Sequence, residues 1–364
     1  MIKRCIGCGE IIQTEDENKP GFAASEENDY CKRCFRMMHY NELPKVLATN
    51  DDYVKVIDHV LCQNGLYILV VDIFNFYITF NETMINKLRG KDVIVVINKY
   101  DLLPHSFNVN DVLNFVSKEC EKLFFKVIAI HILSSLKGYY LDDFMNTCDM
   151  FRRGRNVYIL GVANVGKSTF INALLKRNTS RTKDVIATSI IPGTTLDEII
   201  IPFFEDNKAF IDTPGLINEK DILNHVDNKY YLDIVPKGEI RPITYQVFGS
   251  YSFFLGGLGY ITFEDAKDVS AVFYTSRNVN IFRVKNEKLD HALTNRIGND
   301  LVPCSLTKKF ITEEVKCQNK TNIFFSGFGF VTINGNIKVK VSYIEGTGIK
   351  VYGNILQKAN RNSR

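Results

Sequence analysis

The sequence predicts an α/β fold: a P-loop core, preceded by a short cysteine-bearing segment and followed by a β-rich block. Three observations predict it. Between about residues 50 and 235, short Val/Ile-rich runs alternate with helix-length amphipathic segments. One of those runs meets a helix through a G-x-x-x-x-G-K-S turn. Beyond about residue 236 the pattern changes to short runs rich in Phe, Tyr, Val and Thr, broken by Gly.

The runs GLYILVVDI (65–73), KDVIVVINK (91–99), KVIAIHI (126–132), NVYILGV (156–162) and KAFIDT (208–213) read as buried strands. Asp111–Phe124 and Leu141–Phe151 are helix-length segments between them. Such alternation predicts a parallel sheet covered on both faces. In the last block, SYSFFLGGLGYITF, SAVFYTS, VNIFRVK, NIFFSGFGFVTI and KVKVSYI read as antiparallel strands. Phe253–Phe263 echoes Phe324–Ile333 if one residue is skipped, which fits either a duplicated β unit or chance in a Phe- and Gly-rich region. Exposed rings among Phe253, Phe254, Tyr260, Phe324, Phe325 and Phe330 are candidates to stack on unpaired bases, although alternation turns half of them inward.

A chain of 364 residues suggests two or three domains. No stretch is apolar for long enough to make a membrane helix, and MIKRCIGCG contains no apolar signal-peptide core. Nine cysteines, four of them in two Cys-x-x-Cys pairs, fit a reducing cytoplasmic compartment and one metal site. From Leu301 onward there are ten Lys/Arg against three Glu and no Asp. That excess fits either an anionic partner such as nucleic acid or a solubilising surface.

Gly161–Ser168 (GVANVGKS) follows the strand NVYIL and opens the helix STFINALL, the context a phosphate-binding loop requires. Its backbone amides, from Gly161 through Asn164, Val165, Gly166, Lys167, Ser168 and Thr169, would curl around phosphates at a helix N-terminus. Lys167 would pair with the β- and γ-phosphates, and Ser168 would hold Mg²⁺. Asp212-Thr213-Pro214-Gly215 is a DxxG element, with Asp212 reaching Mg²⁺ through water and the Gly215 amide bonding the γ-phosphate. In Pro192-Gly193-Thr194-Thr195, Thr195 is the first candidate to close over Mg²⁺ and Thr194 the fallback.

Asn98-Lys99-Tyr100-Asp101 matches NKxD after a buried strand, and Asp101 can accept bonds from two donors that guanine has and adenine lacks. Such a site rejects the wrong base by about 10⁴-fold or more. Ser134-Ser135-Leu136-Lys137-Gly138 resembles the SAK-type loop that caps guanine O6, with Ser135 where Ala is usual. NKxD and SAK here precede the P-loop, so the parts of a GTPase are present in permuted order, with DxxG last and leading straight into the β-rich block.

The motif order, the Cys-x-x-Cys pair and the Phe/Gly-rich last block together resemble the YqeH family of circularly permuted GTPases. The resemblance implies a GTPase that binds GTP/GDP and assists assembly of the small ribosomal subunit. It also implies a C-terminal domain similar to RNA-binding β-folds of the TRAP type. The expected division is a zinc module at 1–45, the permuted GTPase at 46–235 and the rRNA-contacting β-rich domain at 236–364. No membrane and no small-molecule substrate other than GTP are expected. The rival is a signalling switch whose flanking modules bind proteins.

Cys5, Cys8, Cys31 and Cys34 form a C-x₂-C…C-x₂-C set with a 22-residue spacer, suited to a tetrahedral structural Zn²⁺. His39 just downstream reads as structural. Leu216 follows DxxG where Ras-like enzymes carry a water-orienting Gln, and leucine cannot do that work. Asn164 is the candidate to compensate: in related GTPases an Asn there helps bind K⁺ beside the phosphates, although an Asn also simply suits a turn. Lys167, Asn164 and Thr195 are therefore the expected catalytic set.

Overall fold

The computed structural model describes residues 3, 5, 11–16, 21–32, 50–177, 191–192, 199–213, 215–216, 218–307 and 309–353. Its helices are α1 (Asn50–Leu61), α2 (Phe76–Thr79), α3 (Glu82–Leu88), α4 (Val109–Lys122), α5 (Leu141–Arg152), α6 (Lys167–Arg177), α7 (Tyr231–Ile234) and α8 (Leu289–Asn295). Strands of the first sheet are β1 (Gly65–Asp72), β2 (Val93–Asn98), β3 (Ala129–Ile132), β4 (Asn156–Leu160), β5 (Ile191–Pro192), β6 (Ile199–Pro202) and β7 (Ala209–Asp212).

The first sheet has the order β3-β2-β1-β4-β7-β6-β5. It is parallel from β3 to β7. Every residue of β1 and β2 is buried, so these strands read as unbroken apolar runs. Period-two alternation divides them: Tyr67, Leu69 and Val71 enter one core layer, Leu66, Ile68 and Val70 the other. The sheet is mixed rather than purely parallel, because β6 pairs antiparallel with both β7 and β5. Those edge strands span four and two residues, too short to carry a periodic signal.

The second sheet contains β8 (Ile243–Leu255), β9 (Gly259–Thr275), β10 (Ile281–Lys285), β11 (Phe310–Cys317), β12 (Lys320–Phe325), β13 (Gly329–Asn334), β14 (Ile337–Ile344) and β15 (Ile349–Tyr352). The long β8–β9 hairpin is its spine. Gly259–Phe263 pairs with β14, and Ser270–Thr275 pairs with β13. Phe253, Phe263, Phe273, Phe325, Val331 and Val341 share one core beneath it.

Register resolves the internal echo. Leu255 pairs with Gly259, and Phe325 pairs with Gly329. The two hairpins therefore match with no skipped residue. Their polar rungs match as well: Ser252 with Thr262 at 2.9 Å, and Asn322 with Thr332 at 2.6 Å.

The expectation of exposed stacking rings is corrected. Phe253, Phe254, Tyr260, Phe324, Phe325 and Phe330 are all buried. Phe253 and Phe325 face the β core. Phe254 and Tyr260 point the other way, but are covered by Ala292 of α8 and by Ile297 and Leu301 beyond it. Phe324 and Phe330 join Phe76, Phe80 and Phe115 of the first unit, with Tyr352 edge-on to Phe115 at 5.3 Å. Phe330 is sandwiched between Tyr274 at 4.4 Å and Phe324 at 4.6 Å. Rings of this size contribute so much apolar area that a free sheet face carrying them gains by being covered. No described helix is long and apolar enough to cross a membrane.

Candidate nucleotide site

The phosphate loop leaves β4 at Leu160 and enters α6 at Lys167. Gly166 takes φ +92°, and a Cβ there would lie 2.6 Å from Asn98 Nδ2, so the loop can approach the base-side motif only with glycine. Asn164 takes φ 66°, a left-handed conformation that Asn tolerates better than most residues, and its side chain is exposed. Lys167 is buried, with Nζ donating to the carbonyls of Gly161 at 3.2 Å and Val162 at 3.4 Å. Burial pushes its ammonium below the usual range, and the Asp212 carboxylate opposes that shift.

Asp212 ends β7 facing this lysine. Burial pushes its carboxyl up to about 6, against the pull of Lys167 and of the Thr213 backbone N–H. Its Oδ1 is buried and has no hydrogen-bond partner among the described residues. An orphaned buried carboxylate oxygen beside a phosphate loop fits a divalent cation held directly or through water. Ser168, at the start of α6, remains exposed.

The DxxG loop is zipped onto the phosphate loop. Leu216 donates its N–H to Gly161 O at 3.3 Å and accepts from Ala163 N at 2.9 Å. A Cβ on Gly215 would lie 2.8 Å from Lys167 Nζ and 2.9 Å from Ala163 Cα, so only glycine permits this contact.

On the base side, Asn98 Nδ2 donates to Val165 O at 2.9 Å, which locks NKxD to the phosphate loop. Its Oδ1 accepts from Ser135 N at 3.0 Å and from Ser135 Oγ at 2.8 Å. The serine that replaces the usual alanine thus adds a bond of its own. Ser134 Oγ donates to Asp101 Oδ1 at 2.5 Å and accepts from Lys137 N at 3.0 Å, orienting the carboxylate. Leu136 is exposed at the rim. Lys99 Nζ reaches Asn164 O and Asp72 Oδ2, each at 2.7 Å. Asp72, nearly fully buried, is a residue that motif reading missed; its only signal is a carboxylate ending an otherwise apolar buried strand.

Beyond Leu216 the chain runs onto the β unit. Ile222 N donates to Ser326 O at 3.2 Å, in the β12–β13 turn. Asp221 is buried beside that turn, where a Cβ on Gly327 would collide with its Oδ1. Asn218 Nδ2 donates to Ile78 O of α2 at 3.1 Å, and Leu306 N donates to His225 O at 3.0 Å.

Of the expected zinc ligands, Cys5 and Cys31 are buried together, with Cys31 N donating to Cys5 Sγ at 3.2 Å. Cys8 and Cys34, together with His39, Thr194 and Thr195, lie outside the described residues. No group of three or more metal-binding side chains occurs among the described residues.

Two family models match parts of the chain. Residues 156–246 match the model described as 50S ribosome-binding GTPase, and residues 268–354 match the YqeH-like, C-terminal model. The chain is 33% identical over 362 residues to YqeH of Bacillus subtilis (strain 168), covering 96% of this chain and 97% of that one. The chain belongs to the YqeH family. It is therefore a circularly permuted GTPase, and the family implies GTP/GDP with Mg²⁺ as its ligands. Among other relatives of this YqeH-family chain, NO-associated protein 1 of Arabidopsis thaliana is 27% identical over 351 residues, 84% of this chain and 62% of that one. GTPase Der of Rhodopirellula baltica is 27% identical over 193 residues, 48% of this chain and 38% of that one.

Proposed function

We propose that this GTPase is a cytoplasmic assembly factor for the small ribosomal subunit, contacting rRNA through its β unit under control of the bound nucleotide. The observation that carries the reading is the linker. Leu216 is bonded to the phosphate loop and Ile222, six residues on, to the β12–β13 turn. A change at the γ-phosphate position therefore has a short covalent path to the β unit. The ribosomal part rests on kinship with YqeH. The matched GTPase model carries a 50S description, so the choice of subunit is itself under test.

In this reading Asp101 accepts from guanine, with Asn98, Lys99, Ser134, Ser135 and Leu136 shaping its pocket. Gly161, Asn164, Val165, Gly166, Lys167, Ser168 and Thr169 cradle the phosphates, and the Gly215 amide senses the γ-phosphate. Ser168, Thr195 and Asp212 would hold Mg²⁺, which neutralises phosphate charge when bound. Asn164 would help hold K⁺, which would add positive charge beside the phosphates where Leu216 cannot orient a water. Cys5, Cys8, Cys31 and Cys34 would bind a structural Zn²⁺ and fold residues 1–45.

The test is co-sedimentation of the full chain with isolated small and large subunits, in a non-hydrolysable GTP analogue and in GDP. Association with the small subunit that differs between the nucleotides is expected. Equal association in both, or association only with the large subunit, overturns the proposal.

A further inference from the structure

The proposed rRNA contact needs a surface, and the buried rings do not provide it. The terminal cations do not provide much of one either. Lys309 faces Glu345, Lys338 faces Glu314, Lys340 faces Glu264 and Lys350 faces Glu82, at 2.7 to 3.9 Å. Four cations of that stretch thus have a carboxylate beside them, two of these carboxylates coming from outside it.

A different surface has what single-stranded RNA requires. Among the described residues β10 pairs only with β8, leaving its other edge without a strand partner there. Arg283 and Lys285 on it are exposed, and neither has a carboxylate partner among the described residues. Arg277 just before β10 and Lys288 just after it are likewise exposed and unpaired among the described residues. Arg283 lies over the ring of Tyr251 at 5.0 Å, and Lys285 stands opposite Tyr251 in register. A guanidinium already stacked on one face keeps its other face and its in-plane donors for a base or a phosphate. Phe248, also on β8, is 61% exposed, but alternation from Val247, whose side chain enters the β core, turns it to the face opposite Tyr251 and the cations that stand in register with that side. It sits in the irregular stretch of β8 between Val247 and Tyr251, where the ladder with β9 shifts register. On the β9 side the patch is bounded by Asp265, whose carboxylate accepts from Ser250 Oγ at 3.3 Å.

We infer that the β8–β10 edge, built from Tyr251, Arg283 and Lys285, is the surface by which the β unit holds single-stranded RNA. The cations track the phosphates, and the free face of the Arg283 guanidinium, held on Tyr251, stacks on a base. This inference rests on the rRNA-binding reading above.

The test uses the full chain and a fluorescein-labelled 20-nucleotide RNA of mixed sequence, with anisotropy read at several salt concentrations. Arg283→Glu with Lys285→Glu should weaken binding at least about tenfold and lower the slope of log K against log salt by roughly 1.4, two phosphate contacts on a single strand. Phe248→Ala, on the other face of β8, should leave affinity and slope as in the parent. Lys338→Glu with Lys340→Glu should change little. GTP affinity, measured on each variant, should stay as in the parent and so reports folding. RNA binding by the parent that survives the Arg283/Lys285 reversal, or falls equally in the Lys338/Lys340 variant, overturns this surface and leaves the rRNA reading standing. No RNA binding by the parent overturns the rRNA reading itself.

Discussion

Asp221→Asn tests whether the linker is held against the β unit by a carboxylate that the fold prefers neutral. The side chain is 8% exposed and accepts from Leu223 N at 3.1 Å, capping the turn at Ile222–Asn224. Burial pushes its carboxyl from 3.8 up to about 6; the Asp72 charge adds to this, while the Leu223 N–H, Lys99 and His225 oppose it. About two pKa units correspond to ~3 kcal/mol between the protonation states. Because the folded pKa is raised, the contribution to stability is full below about 4 and is lost as pH climbs through 6. Asn keeps the acceptor for Leu223 and never ionises, so it should retain that contribution at every pH. The gain over the parent should approach ~3 kcal/mol at pH 7.5 and fall to roughly half of that at pH 5. Thermal unfolding of both proteins at the two pH values reads it. A variant less stable than the parent at pH 7.5, or a gain independent of pH, would refute the reasoning.

Further outcomes follow from the same contacts. Phe330→Ala removes the middle ring of a three-ring stack and should cost ~3–5 kcal/mol, exposing the joint between the two units to protease; an unchanged cleavage pattern and melting temperature would contradict the interface. Mg²⁺-dependent GTP affinity should fall about tenfold per pH unit below pH 6, because the ion needs Asp212 ionised, whereas binding in EDTA should not follow that profile. A flat profile would remove Asp212 from the metal site. Elemental analysis should find about one Zn²⁺ per chain, lost in Cys5→Ser with Cys31→Ser; iron in its place would favour a cluster.

The sequence exposed much of the core because its chemistry is local. Apolar runs foretold β1 to β4 and β7, and NKxD, the SAK-type loop, the phosphate loop and Asp212 sit at the ends of β2, β3, β4 and β7. Asp72 was illegible for the opposite reason: its partner, Lys99, comes from a neighbouring strand, and a lone Asp at a strand end looks like a terminator. The same limit explains the rings. Period-two alternation put Phe324 and Phe325 on opposite faces, but did not tell that the second face would be covered by Phe76 and Phe115. Counting charges likewise found Lys338, Lys340 and Glu314, but not Glu264, which lies outside the counted stretch, nor which carboxylate the folded strands bring to each lysine. Ser135 was legible as a small residue in a backbone role, whereas its hydroxyl bond to Asn98 depends on the packing of two loops.

The central claim is that occupancy of this one nucleotide site controls association with the small subunit. Asp101→Asn tests it most directly, since an amide presents a donor where guanine offers one and xanthine offers an acceptor. The variant should lose nucleotide-dependent association in the GTP analogue and regain it in the matching xanthosine triphosphate analogue. Association that still follows the GTP analogue, or that ignores both nucleotides, would contradict the account.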